Sequence, residues 1–404
     1  MKKTVIPVLL LSALFLLSGC SRFAGGETTA GTVTTTASAQ TEGSTAATDA
    51  TNAAPVITPS QLPMAAVSVP PVVETTKSDD GTVLFQYTYQ NMSLTLPDPD
   101  VADKVIIDFL NRIDSTRTNA QNLNSSAYSD YKTASNWVPY MYRVVYNPTR
   151  IDHGVLSLFG SIVSYSGTPH PENLCVSANY DLVSGEVLTL GGVLTQDCTA
   201  EKLFSLAADA LSGISQEKNL FPDYEEILKN RLSGDWASDE GFYFSSEGLC
   251  FYFSPYEIAP YASGVVSAQI PYTQLVGLLK NEYFPAEQDV YDGTLTAELF
   301  ENTDLNKFTQ FSEIVLHKGE QKYVLHTDLP VYDIRIEEGT LTPGSNEFVP
   351  SYTVFACASL TPGDAIMIEA KASSDSPNLR LQYRSGGQIC YAYLFEKDGE
   401  ILLK

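Results

Sequence analysis

The stretch GFYFSSEGLCFYF occupies residues 241–253 and decides the fold class of the central part of the chain. Two short runs rich in Phe and Tyr flank a turn at Glu247-Gly248, a pattern typical of a β-hairpin. Strands joined by short turns in this way favour an antiparallel sheet. On the N-terminal side, further β-like runs predict strands at 141–146, 155–165 and 174–182.

Helical patterns are interspersed with these strands. After a cap at Asp98, apolar residues recur at three- and four-residue spacing as far as Ile113, which predicts a helix that covers the sheet with one face. A second helix is predicted to begin after Thr199 and to end near Gly213, and a shorter one is predicted over 224–232.

The N-terminal end of this region alternates apolar and polar residues. The runs 83–89 and 92–96 flank Gln90-Asn91, so they predict a hairpin. Together with the helices and strands that follow, this pattern predicts an α+β module with an antiparallel sheet over 79–285.

The C-terminal part has a different pattern. After Pro285 the helical periodicity disappears, and turn signals such as Pro362-Gly363 and Asp398-Gly399 separate short β-like runs. This spacing predicts a smaller, all-β, sandwich-like domain over 286–404. The runs are 294–300, 311–317, 322–326, 331–336, 352–360, 365–371, 379–383, 389–395 and 401–403.

The first 20 residues have the organisation of an export signal. A basic start precedes an apolar run that is too short to span a bilayer, and the run ends in LSGC at Cys20. This ending resembles the lipobox of bacterial lipoproteins. The resemblance implies a lipoprotein signal peptide over 1–19, fatty acyl chains such as palmitate on Cys20, and an anchor at the extracytoplasmic face of the cell membrane. The alternative is an ordinary secretory signal with an accidental cysteine.

A tether is predicted between the anchor and the folded part. Residues 20–78 are dominated by Thr, Ala and Ser, with almost no large apolar residue before Val56. Such a composition cannot bury enough surface to offset the entropy of ordering, so a disordered segment is expected.

The charge of the chain limits its partners. The 48 acidic and 24 basic side chains give a formal net charge of −24. This excess argues against nucleic acid as a partner and favours a basic one. The alternative is that the acidic residues only maintain solubility.

Five cysteines follow Cys20: Cys175, Cys198, Cys250, Cys357 and Cys390. None forms a CxxC pair or a metal-type cluster, so buried single thiols are expected. Pairing of Cys357 with Cys390, or of two of the first three, remains open because exported chains meet oxidants.

Two groups of sequence strings resemble a bacterial exodomain family. The first group is YSGTPHP at 165–171, NYD at 179–181 and GEVLTL at 185–190. The second is FYFSPYEIAPYASG at 251–264 and IPYTQL at 270–275. Together they resemble the extracellular sensor region of the anti-sigma V factor, which also occurs beside the catalytic domain of some peptidoglycan deacetylases and in stand-alone lipoproteins.

The resemblance implies a binding module that faces the cell wall. In that family the sensor detects lysozyme, so a lysozyme-like basic protein or peptidoglycan is the expected partner. Deacetylation belongs to a separate metal-dependent domain, and no corresponding Asp/His constellation occurs in this sequence. We therefore predict a non-catalytic protein without a cofactor.

Four residues in these strings are candidates for ligand binding: His170, Tyr252, Tyr256 and Tyr261. The tyrosines offer large, rigid surfaces for a sugar ring or a protein hot spot. The alternatives are core packing for the tyrosines and a structural turn for His170, which lies between two prolines.

Other assignments remain open. An enzyme acting on wall glycan would use scattered carboxylates such as Glu257 or Asp181, and a structural accessory of an envelope complex is a third class. His317 and His326 flank a predicted turn, where a metal site is an alternative to two surface residues. No metal is predicted.

Overall fold

The computed structural model describes residues 64–234, 236–286, 290–342, 347–371, 377–397 and 400–403. The predicted signal peptide, Cys20 and the tether as far as residue 63 lie outside the described residues. The described part is mostly β, with sheets rich in antiparallel pairs and few helices.

The helices are α1 (Pro99–Tyr131), α2 (Leu190–Val193), α3 (Ala200–Lys218) and α4 (Tyr224–Leu232). The strands are β1 (Ala66–Ser68), β2 (Pro71–Lys77), β3 (Val83–Gln90), β4 (Ser93–Thr95), β5 (Tyr140–Ile151), β6 (Val155–Tyr165), β7 (Glu172–Asp181), β8 (Phe242–Phe244), β9 (Gly248–Phe253), β10 (Val266–Pro271), β11 (Leu295–Leu299), β12 (Gln310–Val315), β13 (Lys322–Thr327), β14 (Val331–Leu341), β15 (Phe348–Leu360), β16 (Asp364–Glu369), β17 (Leu379–Ser385), β18 (Gln388–Lys397) and β19 (Glu400–Leu403).

The region before residue 286 is built in layers. A five-stranded sheet has the order β2-β3-β5-β6-β7, with β3 and β5 parallel and the other pairs antiparallel. Helix α1 packs on one face of this sheet. The antiparallel β8-β9-β10 sheet contacts the other face through Cys250 and Tyr252, and its far side packs against α3 and α4. The three-stranded sheet is therefore enclosed on both faces.

Two further sheets enclose the C-terminal core. One has the order β19-β18-β17-β14-β15-β1-β4, and the other β11-β13-β16-β12. Apolar side chains from both sheets form one buried cluster that includes Tyr323, Ile336 and Phe355. The β12–β16 pair is parallel, whereas the other pairs in these two sheets are antiparallel.

Strand β1 belongs to both parts of the chain. It pairs with β15 on one side and β4 on the other, although its residues were assigned to the disordered tether. Ala66 packs into the C-terminal core, while Val67 packs into the core beneath α1. The tether prediction is therefore wrong for β1 and β2, and backbone pairing crosses the predicted boundary at residue 285.

The predicted hairpin over 83–96 is wrong. Both strands exist, but β3 pairs with β2 and β5, whereas β4 pairs with β1 in another sheet. The chain passes from one sheet to the other after Gln90, whose buried side chain stabilises this point. Its Nε2 donates to the Val69 carbonyl at 2.8 Å, and its Oε1 accepts from the Tyr146 amide at 2.7 Å. The Gln90 side chain thus satisfies one backbone carbonyl and one backbone amide of neighbouring segments at the end of β3.

The predicted starts of α1 and α3 are confirmed, although both helices are longer than predicted. Asp98 caps α1 by accepting from the Asp100 amide at 3.0 Å, and Thr199 caps α3 by accepting from the Lys202 amide at 3.3 Å. Helix α3 continues past the predicted end at Gly213. The β8–β9 hairpin and the terminal β18–β19 hairpin are both present. No helix in the described ranges is both long and apolar enough to cross a membrane.

All five cysteines of the described region are free thiols, and only Cys390 is not buried. Burial raises the pKa of Cys175 and of Cys250 to about 12. Such thiols stay protonated and unreactive at neutral pH. The structure therefore contains neither of the two disulfide pairings that the sequence left open.

Candidate functional site

Two loops approach each other at one end of the facing sheets. The β6–β7 loop carries His170, and the connection from β9 to β10 carries Tyr256 and Tyr261. A hydrogen bond from the Cys175 amide to Ser254 Oγ, 2.9 Å long, ties the start of β7 to the start of the second loop. Packing of the five-stranded sheet on the three-stranded sheet thus brings residues 86 positions apart into contact.

His170, Tyr256 and Tyr261 form a compact group that we call the aromatic cluster. The rings of His170 and Tyr261 stack with centroids 4.5 Å apart, and Tyr256 lies 5.7 Å from His170 and 5.4 Å from Tyr261. The Tyr256 hydroxyl is 3.3 Å from His170 Nε2. Burial, with a smaller contribution from Tyr256, raises the pKa of Tyr261. Three of the four predicted ligand-binding residues are therefore neighbours.

The backbone at Tyr256 is unusual. Its φ is +72°, and the Glu257 amide donates to the Ser254 carbonyl at 3.0 Å across the turn. With Pro255 before Tyr256, this is the arrangement of a type II turn, whose third position favours glycine. A tyrosine there carries strain of about 1–3 kcal/mol, yet its side chain is 56% exposed. Burial in a core therefore does not explain why a large residue occupies this position.

Glu257 stabilises this turn through a hydrogen bond and an ion pair. Its Oε2 accepts from the Ser254 amide at 2.9 Å, and its Oε1 pairs with Arg231, whose guanidinium lies 4.4 Å from the centroid of the Phe253 ring. Arg231 also donates to the Tyr252 carbonyl. Both Glu257 oxygens are thus engaged in positioning the turn that presents Tyr256.

The remaining sequence candidates lie elsewhere. Tyr252 is only 5% exposed, and its hydroxyl accepts from the Gly241 amide at 3.1 Å and lies 3.2 Å from Ser177 Oγ. The structure therefore places Tyr252 in the core, not in the aromatic cluster. Asp181 accepts from the amides of Val183 and Ser184 at 2.8 and 3.0 Å, which makes it an anchor of the turn after β7.

The two C-terminal histidines do not share a partner. His317 Nε2 lies 3.4 Å from Glu338 Oε1, and His326 Nε2 lies 3.4 Å from Glu298 Oε1. Burial raises the pKa of Glu338, and His317 opposes that shift. Across the described ranges, no group of three His, Cys, Asp or Glu residues could hold a metal ion.

A groove that the sequence did not predict lies between α1 and the five-stranded sheet. Its volume is about 520 Å³. Its lining consists of Asn119, Asn122, Leu123, Ser126, Tyr142, Ile162, Ser164, Glu172, Asn173 and Leu174. A signal was present in the sequence, because Asn119, Asn122 and Ser126 recur at helical spacing where an apolar stripe would be expected.

Part of the chain matches a known family. Residues 199–273 match the family described as "Protein of unknown function (DUF3298)". The matched range includes Tyr256 and Tyr261 but not His170. No curated protein matches the chain.

Two solved structures are similar to the chain at low identity. A member of the DUF3298 family from Bacteroides fragilis is 20% identical, with a TM-score of 0.38, and the match covers 54% of this chain and 94% of that one. A DUF3298 family protein from Pseudomonas aeruginosa is 17% identical, with a TM-score of 0.38 and coverage of 56% and 98%.

Proposed function

We propose that this chain is a non-catalytic, lipid-anchored protein of the cell surface that binds an envelope component or a lysozyme-like basic protein. The aromatic cluster of the α+β module is the contact surface in this proposal, and the sandwich-like domain supports that module through β1. The resemblance of the strings around His170 and Tyr256 to the anti-sigma V sensor is consistent with this role.

The observation that carries the proposal is the exposure of Tyr256 on a strained turn. Residues held in disfavoured backbone conformations persist where the surrounding structure enforces them, and they concentrate at functional sites. Tyrosine is also enriched among the residues that dominate binding energy at interfaces. A strained, exposed tyrosine stacked near His170 and Tyr261 therefore fits a docking surface better than a structural turn.

The net charge of the chain favours the basic protein over the envelope component as the partner. The chain carries a formal net charge of −24, so a cationic protein is attracted over several ångströms before contact, most strongly at low salt. Glu257 and Asp181 are both occupied in holding turns. The proposal accordingly assigns neither of them a catalytic role.

Substitution of Tyr256 should separate binding from stability. Tyr256→Ala is expected to weaken binding of lysozyme at low salt about tenfold or more, because a hot-spot tyrosine is removed. Tyr256→Gly should lose binding equally but be about 1 kcal/mol more stable than Tyr256→Ala, because glycine accepts the positive φ. Calorimetric titration gives the affinities, and denaturant unfolding gives the free energies.

The matched control is Tyr128→Ala. Tyr128 is 52% exposed on α1, close to the exposure of Tyr256, but it lies outside the aromatic cluster. This variant should bind as the unmodified chain does. Equal binding by all the Tyr256 variants would reject the aromatic cluster as the contact surface, and a parallel titration with peptidoglycan sacculi distinguishes the envelope component from the basic protein.

The anchor is tested separately at Cys20. Cells that express the chain and are fed a palmitate analogue should label the mature protein in the membrane fraction, because two or more acyl chains give lasting attachment. Cys20→Ala should abolish the labelling and release the protein from that fraction. An unlabelled mature protein with Cys20 intact would contradict the lipoprotein assignment.

A further inference from the structure

We propose that the groove between α1 and strands β5–β7 is a binding site for a neutral, N-acetylated oligosaccharide. Its volume of about 520 Å³ lies within the range of ~300–1,000 Å³ that is usual for small-molecule sites. This inference gives the envelope component of the proposed function a chemical class. It rests on the proposed function, but it moves the envelope component from the aromatic cluster to the groove, so that the cluster is left to the basic protein.

The polar lining of the groove matches the chemistry of a sugar. Side-chain amides of Asn119, Asn122 and Asn173 offer donors and acceptors side by side, and Ser126 and Ser164 add hydroxyl groups. Sugar hydroxyls and acetamido groups also donate and accept at neighbouring positions. A ligand of this class can therefore satisfy the lining without carrying a charge.

The charges of the lining argue against anionic ligands and metal ions. Among the residues that the structure describes, Glu172 is the only charged one that lines the groove, and neither Lys nor Arg lines it. A phosphate, nucleotide or carboxylate ligand would meet no cation there, and a single carboxylate is too few ligands for a metal ion. The lining therefore disfavours an anionic molecule and is compatible with a neutral one.

The apolar part of the lining suits the C–H faces of a sugar ring. Leu123 comes from α1, while Ile162 and Leu174 are paired across β6 and β7. Leu174 is among the exposed large hydrophobic residues. The groove therefore combines an apolar wall with a polar rim, as carbohydrate ligands with mixed faces require.

One polar atom in the groove lacks a partner. Asn173 Oδ1 is buried and accepts no hydrogen bond from the described part of the chain. Leaving such an acceptor unsatisfied is unfavourable, and unsatisfied buried groups in native structures call for an explanation. Because this oxygen is itself shielded from the groove, a ligand hydroxyl or amide can donate to it only after the Asn173 side chain rotates toward the groove.

The helical side of the groove is not optimised for helix stability. Asn119, Asn122 and Ser126 are spaced so that they lie on one face of α1, toward the sheet. Asn and Ser are poorer helix formers than Leu, which would also close this space. Tyr142, whose hydroxyl faces Asn119, has its pKa raised by burial and stays a neutral donor.

The test uses a tetramer of β-1,4-linked N-acetylglucosamine and the full chain in detergent, followed by calorimetry or ligand-observed NMR. Ser126→Leu, which fills the groove, should weaken binding about tenfold or more. Ser125→Leu is the matched control, because Ser125 and Ser126 both donate to the carbonyl four residues earlier, at 3.0 and 3.1 Å, but only Ser126 lines the groove. That control should bind within about twofold of the unmodified chain.

One further variant and one further ligand complete the test. Asn122→Ala, which enlarges the groove, should also weaken binding even if Ser126→Leu folds poorly. Cellotetraose, which has hydroxyls in place of the acetamido groups, should bind about tenfold more weakly than the acetylated tetramer. Equal affinity for the two sugars overturns the acetamido assignment, and the absence of tetramer binding overturns the site.

A variant of the aromatic cluster distinguishes failure of the groove proposal from failure of the proposed function. Tyr256→Ala should leave binding of the tetramer unchanged. Loss of tetramer binding in Tyr256→Ala but not in Ser126→Leu would move the sugar site to the aromatic cluster and reject the groove. Lysozyme binding without tetramer binding would reject the groove and leave the proposed function standing.

Discussion

A chain that begins at Asp80 is expected to be insoluble or unfolded, whereas one that begins at Pro59 should fold. The shorter chain lacks β1, which is buried between β15 and β4 and contributes to two apolar cores. Its loss would expose strand edges on both neighbours and open both cores to water. The free energy of unfolding of a typical protein is only about 5–15 kcal/mol. The removal of a strand that belongs to two cores is therefore enough to unfold the chain.

A single substitution tests the same point within an intact chain. Val67 is 0% exposed in β1, while Val73 is 55% exposed in β2. Val67→Asp should lower the free energy of unfolding by about 4 kcal/mol or more, because a carboxylate is placed in an apolar core without a partner. Val73→Asp should change it by about 0.5 kcal/mol or less.

Circular dichroism and denaturant unfolding measure both effects. A folded, soluble chain beginning at Asp80 with an unchanged midpoint would show that β1 is dispensable. The result also matters for any binding experiment, because an expression boundary chosen from the predicted tether would remove a strand of the core.

Gly160→Ala is expected to be strongly destabilising, because Gly160 has the closest contact for an added Cβ among the glycines that the structure describes. Gly160 lies in β6, between Tyr146 of β5 and Val176 of β7. An added Cβ would lie 1.8 Å from the Val145 carbonyl oxygen and 2.7 Å from the Tyr146 Cα. Both are backbone atoms of a paired strand, so no side chain can move to make room, and we expect a loss of about 4 kcal/mol.

The matched control is Gly213→Ala in α3, where an added Cβ meets nothing within 4 Å. That change should raise the free energy of unfolding by about 0.5–1 kcal/mol, because alanine loses less backbone entropy than glycine in a helix. The two identical substitutions should thus have opposite signs in denaturant unfolding. A Gly160→Ala protein as stable as the unmodified chain would mean that β5 and β6 are not in close register at this point.

The secondary structure was largely accessible from the sequence. Asp98 and Thr199 mark the starts of α1 and α3 because a helix end needs a side-chain acceptor within three residues. Each of the nine β-like runs predicted after Pro285 coincides with one of the strands β11 to β19. Such signals are local, because turns and the alternation of apolar and polar residues depend on residues that are close in the sequence.

Only part of the candidate site could be predicted from the sequence. His170, Tyr256 and Tyr261 were selected by residue type and by resemblance, but nothing in their spacing predicted that the first would stack on the third. Tyr252 was selected on the same grounds and is buried, because alternation along β9 directs its side chain between the two sheets. The strain at Tyr256 is also invisible in the sequence, where Pro255 signals a turn but does not fix its type.

The starts of the helices, the positions of most strands and the acidic excess of the chain follow from the amino-acid sequence alone. The pairing of the strands, the contribution of β1 to two cores, the burial of Tyr252 and the groove beside α1 depend on the folded chain. The reason is physical: caps and periodicity act over a few residues, whereas strand pairing and burial depend on partners such as Val67 and Ala356, which lie far apart in the chain.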